Sequence, residues 1–365
     1  MRSALSCALL GVLLLLVAGT FDAEPFYVTG AALLLLGVAT ILWIGIGSWG
    51  ASITRTIAVR SVMEDQPLEL RVDVRAGRLP LPPGFIDEAL LDVPAPIAAG
   101  HRASTIRVRA TFGRRGRRTL QAPALVLRDP LGLAERVIRA PHDDEILVLP
   151  AIHPVTLAAG GGEDNSAAHA RALLTAAAET EIDGLMPYRP GAPASRIHWA
   201  SVARGGEMME RKLIADADSR PLVVLDPRAP ATLEDLDAAV RAAASLTRHF
   251  ATRSGCGLLL PGDRRAVTIE HDMHGFAPSH VRLALLESHG GPALAAAQNR
   301  RGLILFVSAR VIDKPPRGLG RTPGGQILVV PGEIPGRRAV FTVAGCSGYL
   351  GTRTGSGAAM EAVSA

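Results

Sequence analysis

The hydrophobic pattern changes character twice along the chain. Ser3 to Gly19 is an uncharged apolar run that includes four consecutive leucines, Leu13 to Leu16. A short stretch with Asp22, Glu24 and Pro25 follows, and Gly30 to Trp49 is a second uncharged run of 20 residues. A membrane-crossing helix needs about 20 apolar residues, with about 17 as the lower bound, and a helix keeps its backbone polar groups paired inside lipid. Residues 1–50 are therefore expected to hold two transmembrane helices, at 3–19 and 30–49. From Ala51 the period drops to two. Ile57–Arg60, Leu68–Arg75 and Ile106–Phe112 alternate apolar with polar residues, with Gly77, Pro80, Pro82, Pro83 and Gly84 between them. That pattern predicts half-buried strands and an all-β sandwich of the immunoglobulin or fibronectin kind over 51–150. Asp129-Pro-Leu-Gly-Leu133 reads as a turn after the strand Ala124–Leu127. Residues 151–178, with Gly160-Gly-Gly162, read as a linker.

Beyond Pro221 the pattern changes again. Leu222–Leu225 is continuously apolar, as in a parallel strand covered on both faces. Leu233 to Arg253 has helical spacing at Leu236, Val240, Ala243, Ala244, Thr247 and Phe250, stopped by Gly255. Strands are expected at 256–260, 266–269, 303–307, 327–330 and 339–343, and a helix at Val281–Ser288. Alternating strands and helices predict an α/β sheet within 179–350, followed by a disordered tail at 351–365.

Charge refines this picture. Arg2 precedes the first apolar run, Arg55 and Arg60 follow the second, and the intervening loop carries only acids. The positive-inside rule then places both ends in the cytoplasm, with the lipid bilayer as first partner and Trp43 and Trp49 near an interface. The alternative is a cleaved signal peptide ending at Val17-Ala-Gly19. The net charge is +5, and only Lys212 and Lys314 among the 39 basic residues are lysine. Such arginine usage is discounted as a sign of nucleic-acid binding, and none is expected. The run Arg114-Arg-Gly-Arg-Arg118 lacks the interleaved aromatics of a base-stacking surface. It reads as a solvated turn or as a contact with anionic headgroups. Cys7, Cys256 and Cys346 form no C-x-x-C, which leaves a zinc ribbon, a thioredoxin motif and a disulfide scaffold unsupported.

The most informative stretch contains Tyr188-Arg189-Pro190-Gly191, then Arg196-Ile-His198-Trp199, then Ala203-Arg204, then a strand ending at Asp226. With two preceding membrane helices and a β domain carrying Asp129–Leu133, this order resembles the bacterial family called domain of unknown function 58. The resemblance covers most of the chain. It implies a von Willebrand factor A-like C-terminal domain and work alongside a MoxR-type AAA+ ATPase in complex assembly or envelope maintenance. The family's Gly-Asp is Gly191-Ala192 here, so a carboxylate able to pair with a motif arginine is missing.

Two readings of the motif stand side by side. In one, Tyr188, Arg189, Gly191, Arg196, His198, Trp199 and Arg204 form a partner-binding surface, since arginine presents a planar fork of donors. In the other, Trp199 is an anchor and the arginines pair with acids such as Glu181 or Asp183. At the end of the strand, Asp226-Pro-Arg228-Ala-Pro230 stands where metal-binding A domains carry Asp-x-Ser-x-Ser. Hard cations need oxygen ligands, and Arg228 and Pro230 have replaced two of them. A degenerate site without metal is expected, with Arg228 holding Asp226 in the space a cation would take. His271, His274, His280 and His289 repeat no ligand spacing and read as surface positions. The glycine-rich Gly318–Gly325 lacks the Lys-Ser/Thr of a phosphate loop. No cofactor and no catalytic residue are expected, and the chain reads as a non-enzymatic membrane-anchored scaffold. A divalent-metal-dependent binding module is the alternative. An envelope-precursor enzyme using His198 and Asp226 is third.

Overall fold

A computed structural model describes residues 2–158, 182–188, 199–205, 207–213, 219–298, 300–319 and 322–351. The chain divides into two compact units, Met1–Gly113 with Arg117–Val148, and Arg114–Gly116 with Leu149–Ala365.

The first unit opens with helices α1 (Arg2–Phe21) and α2 (Glu24–Gly47). Both are long and apolar enough to cross a membrane. The second starts six residues before the expected Gly30, so the loop shrinks to Asp22 and Ala23. Pro25 is tolerated in a first helical turn because its missing N–H would be unpaired there, and Glu24 complements the positive end of the helix dipole. Asp22 takes the left-handed turn at φ +50°. The helices meet through small residues: a Cβ on Gly37 would lie 2.6 Å from the Ala4 carbonyl oxygen, and one on Gly11 2.5 Å from the Leu34 nitrogen. Such close approach is how helices associate where the solvent is as apolar as leucine. Several leucines point the other way, with Leu9, Leu16 and Leu35 exposed.

Ten strands complete this unit's elements. β1 (Ser52–Ile57), β3 (Leu68–Arg75) and β6 (Ala103–Ala110) form one antiparallel sheet. β5 (Ala95–Ile97), β4 (Gly84–Asp87), β8 (Ala124–Arg128) and β9 (Glu135–Arg139) form a second, and β2 (Ser61–Met63), β10 (Asp144–Leu149) and β7 (Gly116–Leu120) a third. Leu68, Leu70, Val72 and Val74 of β3 are buried and join Ile53, Ile86, Leu125, Leu127 and Val148 in one core. The period of two is thus real at Leu68–Arg75. Ile57–Arg60, expected to be a strand, mostly falls in the turn between β1 and β2. The Asp129–Leu133 turn is organised by its own aspartate: buried Asp129 accepts the N–H groups of Leu131 and Ala134, and Gly132 sits at φ +70°. The Ala4 N–H donates to the Leu133 carbonyl at 3.0 Å, and Ala4, Ile44 and Ala134 pack together. This turn therefore seats the base of the helix hairpin.

The second unit is built on an eight-stranded mixed sheet. Its order is β11 (Thr156–Leu157), β19 (Phe341–Val343), β20 (Cys346–Leu350), β18 (Gln326–Pro331), β17 (Ile304–Ser308), β14 (Leu222–Asp226), β15 (Cys256–Leu259) and β16 (Val267–Ile269). The four strands from β18 to β15 run parallel. Helix α4 (Leu233–Ser254) covers Val223, Leu225, Leu305, Val307, Ile327 and Val329. A reciprocal capping box between Thr232 and Asp235 starts it, and Gly255 at φ +84° ends it. The opposite face buries Leu222, Val224, Ile304, Phe306 and Tyr349 under the short helical turns Leu294–Ala297 and Arg317–Leu319. Both faces are covered, which explains the uninterrupted apolar strands.

Four expectations need correction in this unit. Helix α5 spans Phe276–Ala284 rather than Val281–Ser288, because Gly275 in a left-handed conformation launches it early and Pro278 fits its first turn. Within the expected linker, Thr156–Leu157 pair with β19, and the His153 N–H donates to Ser245 Oγ of α4. His280 is buried, with Nε2 2.8 Å from the Pro150 carbonyl oxygen. Arg115, from the basic run, is buried too, because it pairs with Asp237 of α4. The tail from residue 352 lies outside the described residues.

Candidate functional site

The carboxyl end of β14 is where an open α/β sheet presents ligand-binding groups. Asp226 is the last residue of that strand and lies opposite Ser308 at the end of parallel β17. Pro227 follows, and the chain turns sharply with Ala229 at φ +49°, a left-handed conformation uncommon for a residue with a Cβ. The turn folds Arg228 back over its own strand end. Nε donates to Asp226 Oδ1 at 2.8 Å and Nη2 to Oδ2 at 2.8 Å, while the Arg228 backbone N–H reaches Oδ1 at 3.2 Å. This is a bidentate fork. Hydrogen bonding to Asp226, then its charge, hold the Arg228 guanidinium above its ordinary pKa.

The arginine is backed by glycine. A Cβ on Gly291 would stand 2.8 Å from Arg228 Cζ, so a larger residue there displaces the guanidinium. Both oxygens of Asp226, itself 3% exposed, are therefore engaged, although the Arg228 side chain remains 49% exposed. Ser308 is fully buried, and its Oγ accepts the Arg310 N–H at 3.2 Å. Two oxygen-bearing residues thus meet at the strand ends, Asp226 with both oxygens accepting from Arg228 and Ser308 accepting one backbone N–H. Among the described residues no group of three or more His, Cys, Asp or Glu side chains is placed to hold a metal ion.

The arginine motif is described only in part. Tyr188 is half-buried, and its N–H donates to the Met208 carbonyl at 2.9 Å, extending the antiparallel pair of β12 (Ile182–Pro187) and β13 (Met209–Leu213). Helix α3 (Trp199–Ala203) lies between those strands in sequence. Trp199 opens it with 57% of its surface exposed, and Arg204, just past its end, is exposed. Arg189, Gly191, Arg196 and His198 lie outside the described residues.

A second charged cluster escaped the sequence reading. Asp237 of α4 is 1% exposed. Arg114 Nε donates to its Oδ2 at 2.9 Å, and Arg115 Nη1 bonds its Oδ1. Arg115 also donates to the carbonyls of Leu283, at 3.3 Å, and Leu286, at 2.7 Å. These bonds lie within the second unit and tie α4 to the end of α5. The signal was available: Asp237 falls three residues before Val240, on the apolar stripe, where a charge demands a partner. Gly291 was also missed, and the Gly290-Gly291-Pro292 run was its only trace. Cys256 and Cys346 are buried strand residues whose thiols are pushed up to about 12 by burial, so both stay protonated at neutral pH.

A scan of the chain against protein-family models finds no match, and a search of curated proteins finds none with significant similarity.

Proposed function

We propose that this protein is a non-enzymatic, membrane-anchored binding protein. In this reading α1 and α2 fix it in the bilayer with both units on the cytoplasmic side, and it works with a MoxR-type AAA+ ATPase. The observation that carries it is the exposed pair Trp199 and Arg204 on and just after α3. Tryptophan and arginine are the residues most enriched at the energetic centres of protein interfaces. The closed Asp226–Arg228 fork supports the same reading, since a carboxylate with both oxygens engaged is a poor base and a poor ligand until the fork opens. The parallel strands of the second unit's sheet, flanked by α4 and α5, support a von Willebrand factor A-like domain. The resemblance to the domain of unknown function 58 family supports the ATPase as partner.

The test is crosslinking of the full-length protein in native membranes, followed by mass spectrometry for the ATPase. Recovery that falls in Trp199→Ala and Arg204→Ala, with the protein still folded, supports the reading. Recovery unchanged in both variants, or no ATPase at all, removes it.

One observation favours a second reading. Asp226 and Ser308 lie side by side at the strand ends, and Arg228 is half in solvent, so its fork can open toward water. A divalent cation would then have two oxygen ligands. Stoichiometric, tight Mg²⁺ binding by the wild-type chain would establish this metal-dependent module over the metal-free one.

A further inference from the structure

Within the first unit, a cavity of about 700 Å³ opens between α2 and the loops of the β domain. Ala39, Trp43 and Ile46 line it from the helix, and Leu79, Pro82 and Ala99 from the loops. Its shape is fixed by close backbone contacts. A Cβ on Gly47 would lie 2.7 Å from Pro82 Cγ, and one on Gly77 would overlap the Trp49 carbonyl oxygen, so the loops close onto the helix end only because glycine stands at both points. Leu81 and Gly100 hold the rim through two hydrogen bonds, from the Leu81 N–H to the His101 carbonyl and from the Gly100 N–H to the Leu81 carbonyl, each 3.0 Å.

The lining decides the chemistry. Every side chain in it is apolar except for the indole N–H of Trp43. A peptide entering this space would leave its backbone N–H and C=O groups unpaired, at a cost of a hydrogen bond each, whereas a hydrocarbon chain has none to satisfy. One wall is a helix with the length and composition of a membrane span. Next to the cavity, Arg78 is exposed and stacks its guanidinium 5.5 Å from the centre of the Trp49 ring. His101 and Arg102 are exposed on the strand entry facing the same loop, where the Ala76 N–H donates to the Arg102 carbonyl at 2.8 Å. Among the described residues no carboxylate forms an ion pair with Arg78 or Arg102. An apolar hollow against a membrane helix, with a free cation on an aromatic ring at its edge, fits an anionic amphiphile.

We propose that the cavity takes an acyl chain of an anionic phospholipid from the surrounding bilayer, with its phosphate against Arg78. The proposal rests on the membrane reading of α1 and α2, and the test separates the two. The full-length protein is reconstituted into phosphatidylcholine vesicles containing a minor share of phosphatidylglycerol with a photoactivatable diazirine in its acyl chain. After irradiation, labelled peptides are mapped by mass spectrometry. Labels on Leu9 and Leu13, on the exposed face of α1, report residence in the bilayer; labels on Leu79–Pro82 and Ala99 report occupation of the cavity.

The expected result is labelling at both places. Cavity labelling should fall several-fold in Ala39→Phe and Ala99→Phe, which fill the space from exposed positions, while the α1 labels persist. In Arg78→Gln the preference of cavity labelling for the phosphatidylglycerol probe over a phosphatidylcholine probe should fall about fivefold. Labels on α1 with none at Leu79–Pro82 or Ala99 overturn the cavity assignment. Equal cavity labelling by the two probes in the wild type overturns the choice of an anionic lipid. Absence of labels on α1 overturns the membrane reading beneath it.

Discussion

Two arginine–carboxylate sites, one in each unit, look alike in a list of ion pairs and differ in what surrounds them. In the first unit, Arg55 Nη1 lies 3.0 Å from Glu88 Oε1 and Nε 2.8 Å from Asp144 Oδ2. Its remaining donors reach the carbonyls of Leu120 and Gln121 at 2.8 and 2.9 Å. The Arg55 and Glu88 side chains are 1% and 0% exposed. In the second unit the Asp226 side chain is 4% exposed, but Arg228 is 49% exposed. The first site is sealed on both sides and fastens strands that are far apart in sequence. The second is sealed only on the carboxylate side, so its arginine can exchange the carboxylate for water without unfolding anything. Burial of both partners makes a fastener; burial of one makes a latch.

The largest effect should come from breaking the fastener. Arg55→Ala leaves Glu88 buried without its cation, and removing one partner of a buried pair costs about 3–5 kcal/mol. Denaturant unfolding of the full chain in detergent, followed by circular dichroism, should show a destabilisation of that order. Arg228→Ala should cost less, about 1–2 kcal/mol, since half of the arginine is already in water and the Asp226 carboxylate keeps its backbone donor. The same variant should do what Arg55→Ala cannot. With Asp226 uncovered beside Ser308, calorimetric titration should detect stronger Mg²⁺ binding than a parallel titration of the wild-type chain. Equal destabilisation by the two variants would erase the distinction between the sites.

A smaller test uses pH, and the two units should respond with opposite sign. Burial pushes the Glu88 carboxyl above the usual carboxylate range, with Arg55 opposing it. A carboxyl whose folded pKa is raised contributes most while protonated, and that contribution is lost as pH rises through the folded value. Glu88→Gln should therefore remove one declining component from stability between acid and neutral pH. In the second unit, burial lowers the pKa of His280, the Pro150 carbonyl opposes this, and the charge of Arg248 adds to the lowering. Its neutral form contributes fully above the ordinary histidine value of about 6.5 and is lost as pH falls through the lowered one. His280→Gln should flatten the loss of stability that sets in as pH falls below the ordinary histidine value.

The two regions also differ in how much the sequence disclosed. Periodicity sufficed for β3, where Leu68 to Val74 alternate, and for α4, where the apolar stripe and Gly255 mark face and end. The Arg228–Asp226 pairing was also legible, because two residues of separation leave a short side-chain path. What escaped was long in range. Arg55 and Glu88 are 33 residues apart, Arg115 and Asp237 122 apart, and His280 and Pro150 130 apart. No local pattern encodes which charge meets which. Asp237 on the apolar stripe signalled that a partner was needed, but not that the partner would be Arg115. The α1–α2 loop was misjudged for a different reason. Its acids and Pro25 marked a break in hydrophobicity but not in helicity, since Glu24 and Pro25 suit a helix start.

The smallest stability effect belongs to a third arginine and completes the series. Arg55 is sealed, Arg228 is half-open, and Arg204 is exposed after α3, with Trp199 exposed at the start of the same helix. Exposed side chains away from buried networks change stability by no more than about 0.5 kcal/mol when truncated. Arg204→Ala and Trp199→Ala should therefore leave the unfolding curve of the full chain in place. Their cost should fall on binding instead, since a tryptophan or arginine at the centre of an interface is worth about 2 kcal/mol or more. That corresponds to roughly a thirtyfold loss of affinity for the proposed ATPase, measured with purified full-length protein in nanodiscs. A variant that shifts the unfolding curve as Arg228→Ala does would instead place these residues among the protein's own fasteners. The progression from sealed to open arginine would then no longer track the progression from structure to recognition.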